Sequence, residues 1–235
     1  MSRTYKTIGI LGGMGPEASS TLYARMIKYI QTRYGAEQDT DYPPMVIYSL
    51  PLSGFDETGI TDEQLVSSQL IEGVKKLETA GSDLVIVACN TVHLFHDQMQ
   101  NAVNIPVLNI IEETKNRVAE TGIKKVGLFA SETTGRLRLY QENFNDSGIR
   151  VISPDRTQQN ALNLVIRHVM SGSQGEEDRK VLKKIALDFT EKGAEAVVMG
   201  CTEIPLALNQ SHTDIRLFDT IEIIIESAVN YSMME

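Results

Sequence analysis

The sequence predicts an α/β fold of two pseudo-symmetric lobes, each a mostly parallel sheet flanked by helices, with the active site in the cleft between the lobes. Three observations predict it. Short aliphatic runs alternate with helical patterns along the chain, which is typical of βα units. Three segments of the first half recur in the same order in the second half. The two cysteines of the 235 residues each end one copy of the same segment.

The chain begins with a predicted strand, turn and helix. Residues 7–11 form a short aliphatic run, and Gly12-Gly13-Met14-Gly15 follow it as a turn. Pro16 suits the first position of a helix, and Glu17 suits its first turn. An apolar stripe at helical spacing then predicts the helix. The stripe consists of Leu22, Met26, Ile27 and Ile30.

A second helix and five later strands complete the predicted elements. Thr61 and Gln64 have the spacing of a capping box. The helix that follows ends at Gly81, and its apolar stripe is Val66, Leu70, Val74 and Leu77. Later strands are predicted at residues 107–110, 125–129, 150–152, 196–199 and 216–218.

The duplication defines the two predicted lobes. Residues 8–11 resemble 126–129, residues 81–91 resemble 193–203, and residues 105–112 resemble 215–222, at offsets of 118, 112 and 110 residues. One aliphatic match is easily accidental, whereas three in the same order indicate a repeat. We interpret residues 1–104 with 212–235 as the first lobe and residues 105–211 as the second.

Charge and hydropathy exclude several kinds of partner. The formal net charge is −9, and no run of lysine or arginine occurs, so we expect no nucleic acid and no anionic membrane as partner. The apolar stretch 8–11 is too short for a signal peptide, and no stretch is long enough to span a bilayer. We therefore expect a cytoplasmic protein with reduced cysteines.

Each cysteine stands where a predicted strand ends. Ligands of open parallel sheets bind beyond the carboxyl ends of strands, so one sulfur is expected on each face of a substrate. That arrangement suits removal of a proton from one side of a carbon and its return from the other. A helix beginning just after the cysteine would favour the thiolate. The alternative is that each cysteine packs as a small hydrophobic residue.

A metal site is not expected at these thiols. No Cys-x-x-Cys pair or closely spaced set of cysteine and histidine accompanies them. His93, four residues after Cys89, is the one candidate for a further ligand.

Three motifs resemble the aspartate/glutamate racemase family, and most closely its aspartate racemase branch. They are Leu-Gly-Gly-Met-Gly-Pro at 11–16, Ala-Cys-Asn-Thr-Val-His at 88–93 and Gly-Cys-Thr-Glu at 200–203. The similarity extends to Asp219 and Thr220. It implies two lobes, a homodimer, and racemisation of an amino acid without pyridoxal phosphate, metal or other cofactor. It also implies that Cys89 and Cys201 are the two catalytic bases.

The resemblance further implies a set of substrate contacts. Asn90, Thr91 and Thr202 match residues that would hold the carboxylate and amine of the amino acid. Ser131 and Thr134 match hydroxyl positions of the family, although helix capping would explain them equally well.

Glu203 and the glycine-rich turn each have more than one interpretation. Glu203 would bind the substrate ammonium or tune Cys201, or simply be the acidic residue of a first helical turn. The turn with Met14 would line the substrate pocket. Nucleotide binding is the alternative for the turn, but Gly9 and Gly12 do not complete the dinucleotide fingerprint, and no P-loop motif occurs.

One position departs from the family pattern. Aspartate racemases of this type place an arginine in the loop where this chain has Glu57, and a family lysine falls at Met170. An anion beside a substrate carboxylate would be repulsive. Either neighbours such as Arg167 and His168 supply a positive charge, or the substrate is not acidic.

Two other functions stay open from the sequence. One is another enzyme of the same superfamily, such as a hydantoin racemase, a maleate isomerase or a decarboxylase. The other is a non-catalytic protein that binds amino acids. The two intact thiols favour the amino-acid racemase, because a decarboxylase should need one of them and binding needs neither.

Overall fold

The structure is a computed structural model that describes residues 5–56 and 59–233. Its elements in chain order are β1 (Ile8–Gly12), α1 (Pro16–Tyr34), β2 (Met45–Ser49), β3 (Phe55–Asp56), β4 (Gly59–Ile60), α2 (Glu63–Thr79), β5 (Leu84–Val87), α3 (His96–Asn101), α4 (Ile110–Glu120), β6 (Lys125–Phe129), α5 (Glu132–Arg136), α6 (Leu139–Asn145), β7 (Arg150–Ile152), α7 (Arg156–Met170), α8 (Glu176–Glu191), β8 (Ala196–Met199), α9 (Ile204–Ala207), β9 (Arg216–Asp219) and α10 (Thr220–Met233). Short 3₁₀ turns occur at Asp39–Asp41, Thr91–Phe95 and Gln210–His212.

Contacts between Cα atoms divide the chain into two compact units. The first unit is Met1–Phe55, Thr61–Glu113 and Ile221–Glu235, and the second is Asp56–Ile60 and Thr114–Thr220. The predicted limits at residues 104 and 211 precede α4 and β9, whereas the contact division falls inside α4 and just after the first residue of α10.

The two larger sheets have the same strand order. They run β2-β1-β5 in the first unit and β7-β6-β8-β9 in the second, and their described strand pairs are parallel. Val85 of β5 also bridges Val107 in parallel. Residue 107 therefore lies beside β5 in the first unit, in the position that β9 occupies beside β8 in the second unit. The predicted pair of similar α/β halves with parallel sheets is confirmed.

The registers of the sheets correspond residue by residue. Gly9 pairs with Val85 in the first unit as Gly127 pairs with Val197 in the second. The bridge between residues 85 and 107 matches the pair formed by Val197 and Leu217. The three sequence offsets map each of these pairs onto its counterpart, so the duplication extends to the hydrogen-bonding of the sheets.

Buried aliphatic residues form the inner parts of the strands and helices. β1, β5 and β8 are buried along their length, as expected for parallel strands covered on both faces. In α1 the predicted stripe is buried at Leu22, Met26 and Ile30. In α2 all four predicted positions are buried. Pro16 is the first residue of α1 and Glu17 lies in its first turn, so both predictions are confirmed.

Two local predictions are wrong. Asp62, not Thr61, caps α2, and its Oδ1 accepts the Leu65 N–H at 2.9 Å. Residues 107–110 are not a strand, because only Val107 bridges β5 and α4 begins at Ile110. The Asn109 side chain accepts the backbone N–H groups at positions 111 and 112, and this cap ends the extended segment.

Within residues 5–56 and 59–233, no helix combines the length and apolar character needed to cross a membrane.

Candidate active site

The glycine-rich turn after β1 packs against Leu50 and Ser19. Gly13 has a φ of 96°, and a Cβ there would lie 2.5 Å from the Leu50 carbonyl oxygen, so only glycine fits. The Gly13 N–H donates to Ser19 Oγ at 2.9 Å, and that hydroxyl donates to the Gly15 carbonyl at 2.9 Å. Met14 is buried in the turn. The Gly13 amide therefore binds Ser19 beside the turn.

Cys89 lies just beyond the carboxyl end of β5. The Ala88 N–H continues the sheet by donating to the Leu11 carbonyl at 2.9 Å. Cys89 is 6 % exposed and is not in a disulfide. Because β5 and β1 are paired neighbours, Cys89 and the glycine-rich turn lie at the same edge of the sheet. The predicted site residues gathered at this edge are Met14, Cys89, Asn90 and Thr91.

His93 is buried near the Cys89 backbone. It is 5 % exposed, and its Nδ1 lies 2.8 Å from the Cys89 carbonyl oxygen. Its Nε2 accepts the Ile110 N–H at 3.3 Å. Burial lowers the pKa of His93 to about 4, so the ring is neutral at pH 7. The sequence pointed to His93 only as a metal co-ligand. In the part of the chain that the structure describes, no group of three or more His, Cys, Asp and Glu side chains could hold a metal ion.

Ser131 caps helix α5 in the second unit. Its Oγ accepts the Thr134 N–H at 3.2 Å and lies 3.0 Å from Thr134 Oγ1. Both side chains are buried. The capping role considered as an alternative is therefore present for Ser131. The two hydroxyls follow β6 as the glycine-rich turn follows β1.

Cys201 lies beyond β8 at the position equivalent to that of Cys89 beyond β5. It is 8 % exposed, and its thiol donates to Glu203 Oε2 at 3.1 Å. The Thr202 hydroxyl donates to the same oxygen at 3.0 Å. Glu203 is itself buried. Its carboxylate accepts hydrogen bonds from the two side chains that precede it in the sequence. The predicted site residues that follow β6 and β8 are Ser131, Thr134, Cys201, Thr202 and Glu203.

The elements after the two cysteines are short. A 3₁₀ turn, Thr91–Phe95, follows Cys89, and the four-residue helix α9 follows Cys201. The helix macrodipole is a sum over aligned peptide units. The expected stabilisation of a thiolate by a following helix is therefore small at both positions.

A buried tyrosine supports the segment that leads to Cys201. Tyr140 hydrogen-bonds with Thr114 and Thr220, and Thr220 Oγ1 donates to the Met199 carbonyl at 2.9 Å. Burial raises the pKa of Tyr140, so its phenol stays protonated. Sequence reasoning missed this network. The one available signal was Thr220, to which the family resemblance extends.

The loop that departs from the family pattern is described only in part, because Glu57 lies outside the described residues. A Cβ on Gly59 would lie 3.6 Å from a guanidinium nitrogen of Arg136 and 3.5 Å from Thr133 Oγ1. Arg136 therefore brings a positive charge to this loop, which the sequence did not indicate.

The sequence offered Arg167 and His168 as sources of positive charge for a substrate carboxylate. His168 Nδ1 lies 2.7 Å from Asp178 Oδ1. Arg167 is exposed in the last turn of α7, and the neighbouring Met170 is exposed as well.

Comparison with known proteins identifies the family. The profile described as Asp/Glu/Hydantoin racemase matches residues 11–228. A broad specificity amino-acid racemase of Bacillus subtilis is 30% identical over 223 residues, which are 95% of this chain and 96% of that protein.

Solved structures agree with this match. The crystal structure of an aspartate racemase homologue from Pyrococcus horikoshii superposes with a TM-score of 0.84 at 28% identity, over 97% of this chain and 100% of that one. For the aspartate racemase of Picrophilus torridus the TM-score is 0.80 at 25% identity, over 97% of this chain and 94% of that one. The chain therefore belongs to the Asp/Glu/hydantoin racemase family and is an aspartate racemase-like isomerase.

Proposed function

We propose that this protein racemises a free amino acid by a two-base mechanism in which Cys89 and Cys201 carry the proton. The equivalent position of the two thiols supports the proposal. Each thiol lies two residues beyond the end of its strand, β5 or β8, and these strands pair in the same register with β1 and β6. In the proposed mechanism each thiol serves one face of the substrate α-carbon.

The proposed reaction moves one proton at each face. The thiolate of one cysteine takes the α-proton, so a C–H bond breaks and an S–H bond forms. The electron pair stays on the α-carbon beside the carboxylate. The thiol of the other cysteine then gives its proton to the opposite face and becomes the thiolate. The product is the other enantiomer, and the two thiols end with their protonation reversed.

Substrate contacts must lower the barrier to removal of the α-proton, because a free thiol with a pKa of about 8.5 is a weak base. In the proposal, polar donors near the thiols hold the carboxylate and amine and stabilise the developing negative charge. The proposed contacts are Met14, Asn90, Thr91, Ser131, Thr134, Thr202 and Glu203. No cofactor takes part in the proposed steps.

The starting protonation of the pair follows from Glu203. A thiol that donates to a carboxylate keeps its proton, because the thiolate would face another negative charge. The bond of 3.1 Å from the Cys201 thiol to Glu203 Oε2 supports Cys201 as the starting acid. Cys89 is then the starting base.

We also propose a cytoplasmic homodimer. The family resemblance supports the dimer. Two cysteines that must both cycle between thiol and thiolate support a reducing compartment, because an oxidising one favours disulfides and thiol oxidation.

The experiment is incubation with a panel of L- and D-amino acids in deuterated water, without pyridoxal phosphate and after dialysis against a chelator. The panel contains acidic, neutral and basic amino acids, and both the enantiomers and the Cα deuterium are measured. Cys89→Ala and Cys201→Ala are each expected to lower racemisation by roughly 10²–10⁴-fold, the usual contribution of a general acid or base. The folded structure, monitored by circular dichroism, should be unchanged.

Partial activity distinguishes the two faces. Each single variant keeps one thiol, so it is expected to exchange the α-proton of one enantiomer without producing the other. A variant that retains most of its racemase activity would remove that cysteine from the mechanism. Loss of turnover on chelation, restored by a specific metal, would contradict the cofactor-free reaction.

A further inference from the structure

His93 is a buried ionisable group that the proposed proton transfers do not use. It lies in the 3₁₀ turn after Cys89 and is 5 % exposed. One ring nitrogen faces the Cys89 carbonyl at 2.8 Å, and the other faces the Ile110 backbone nitrogen at 3.3 Å. The ring thus connects the backbone of a cysteine to the first residue of α4.

The Cys89 carbonyl and the Ile110 N–H determine the tautomer of the ring, which also interacts with the backbone of Asn90 and Leu108. A carbonyl oxygen only accepts, so Nδ1 must carry the hydrogen that it donates to Cys89. A backbone N–H only donates, so Nε2 must be unprotonated to accept from Ile110. Both bonds form only with the neutral ring that carries its hydrogen on Nδ1. A protonated ring would turn the Nε2 acceptor into a donor and oppose two N–H groups.

We propose that His93 is a positioning residue that clamps the carbonyl of Cys89 to the start of α4 and does not itself carry a proton during turnover. The inference rests on the proposed function for the role of Cys89. Upstream of Cys89, the Ala88 N–H is bound to β1 through the Leu11 carbonyl at 2.9 Å. Downstream, the His93 ring supplies a second attachment. The backbone that carries the sulfur is therefore held on both sides.

Such a clamp matters because proton transfer depends on the distance from sulfur to the α-carbon. A displacement of about 1 Å can cost on the order of 10²-fold in rate. Loss of the clamp should therefore lower kcat strongly. It should raise KM to a smaller extent, because Asn90 and Thr91 lie on the released loop whereas the other proposed substrate contacts do not.

Three variants separate positioning from packing. His93→Leu removes both hydrogen bonds, whereas His93→Asn keeps a side-chain N–H at a position comparable to Nδ1. His96→Leu is the matched control. The ring of His96 is stacked on that of His93 at 6.2 Å, and its Nε2 donates to the Val107 carbonyl at 2.8 Å, so it makes a similar bond without touching a cysteine.

We expect His93→Leu to lower kcat at least tenfold with a smaller rise in KM. His93→Asn should recover most of the loss, and His96→Leu should keep the kcat of the wild type even where its Tm falls. Full kcat in His93→Leu would overturn the inference. Equal loss in the leucine and asparagine variants of His93 would overturn it too, because the donor to Cys89 would then be irrelevant.

Two measurements do not depend on racemase activity. In a Cys201→Ala background, His93→Leu should raise the rate of Cys89 alkylation by iodoacetamide several-fold, because a released loop exposes a sulfur that is now buried. Nitrogen-15 spectra of the wild type should show the neutral ring with hydrogen on Nδ1 throughout pH 5–9. A ring that titrates between pH 6 and 7 in step with kcat would overturn the inference.

The same measurements separate this inference from the proposed function. If the wild type racemises no amino acid while the alkylation and nitrogen-15 results hold, the proposed function fails and the clamp stands. If racemisation requires both cysteines while alkylation of Cys89 ignores His93, the clamp fails and the proposed function stands.

Discussion

The two cysteines occupy equivalent positions but have different neighbours. Cys201 donates to the buried carboxylate of Glu203 at 3.1 Å. The Cys89 backbone instead meets the neutral ring of His93. A carboxylate beside a sulfur disfavours the thiolate, whereas a neutral ring bonded to a carbonyl adds no negative charge. Glu203 therefore disfavours the thiolate of Cys201.

Glu203→Gln is expected to speed the alkylation of Cys201 at pH 7. Glutamine keeps the size of the side chain and an accepting oxygen but removes the negative charge. We expect a rate increase of roughly threefold to tenfold, since alkylation follows the thiolate fraction. Iodoacetamide kinetics measure it in a Cys89→Ala background, where Cys201 is the remaining cysteine of the chain.

Glu191→Gln is the control for this prediction, because it makes the same change of net charge at an exposed position of α8. Its alkylation rate should equal that of the parent. An unchanged rate in Glu203→Gln would mean that the carboxylate does not govern the protonation of Cys201.

At the scale of elements, helix α6 makes the two cysteine loops differ. Gly200 precedes Cys201, and a Cβ on it would lie 2.8 Å from Leu128 Cδ1 and 2.9 Å from the Tyr140 ring. The equivalent residue before Cys89 is Ala88, which carries a Cβ. Tyr140 of α6 is fully buried and takes the space that a methyl group would need. The packing of one helix thus requires glycine in one copy of a repeated loop.

Gly200→Ala is expected to destabilise the protein by about 1–3 kcal/mol, the usual cost of an overpacked core. It should also lower kcat, because the segment that carries Cys201 must shift to relieve the contact. Urea unfolding and steady-state kinetics measure the two effects.

The control is Gly175→Ala, where no atom lies within 4 Å of the new Cβ and φ is −149°. That variant should keep the kcat of the wild type and lose only about 0.5 kcal/mol of stability, because Gly175 is the N-cap of α8 and alanine is the poorer cap. If Gly200→Ala behaved in the same way, the contact with Tyr140 would not constrain the loop.

At the scale of the whole molecule, folding must bury His93 in its neutral form. Burial lowers its pKa from 6.5 to about 4. Between these values the unfolded chain binds a proton that the folded chain does not, so the free energy of unfolding falls as the pH drops from about 6.5 to about 4. The free energy of unfolding that is lost on acidification through this histidine is fully present above pH 6.5 and amounts to roughly 3 kcal/mol.

Urea unfolding of the wild type and His93→Leu at pH 7.5 and 4.5 measures this contribution. Carboxylates titrate similarly in both proteins, so the difference between them isolates the histidine. The difference in the free energy of unfolding should be smaller at pH 4.5 than at pH 7.5, because only the wild type loses stability through His93. An equal difference at both values would contradict a buried neutral ring.

Predictions that depended on local pattern were largely correct. The apolar stripe of α2 is buried, as is that of α1 except at Ile27. Pro16 begins α1 as its fixed φ favours. The cap of α2 was predicted one residue too early, because Thr61 and Asp62 are both good capping residues and only the backbone decides between them. β2 was not predicted, since it is an edge strand with partial burial and no distinct signal.

The candidate site was predicted from the repeat and from the family resemblance. Cys89 and Cys201 were singled out because matching segments end in them. A neighbour that contacts a cysteine side chain was predicted where it is close in sequence, as Glu203 is to Cys201. Tyr140 was missed because its contacts with Thr114 and Thr220 arise from packing between α6 and the segments before and after it.

The sequence by itself determined the doubled α/β framework and the placement of one thiol beyond each of two equivalent strands. These features depend on periodicity and on matching segments, which are properties of the chain read in order. Only the tertiary structure decided that His93 joins Cys89 to Ile110 and that the Cys201 thiol meets Glu203 Oε2. Such contacts depend on the course of the backbone and on the orientation of each side chain, and neither follows from spacing along the chain.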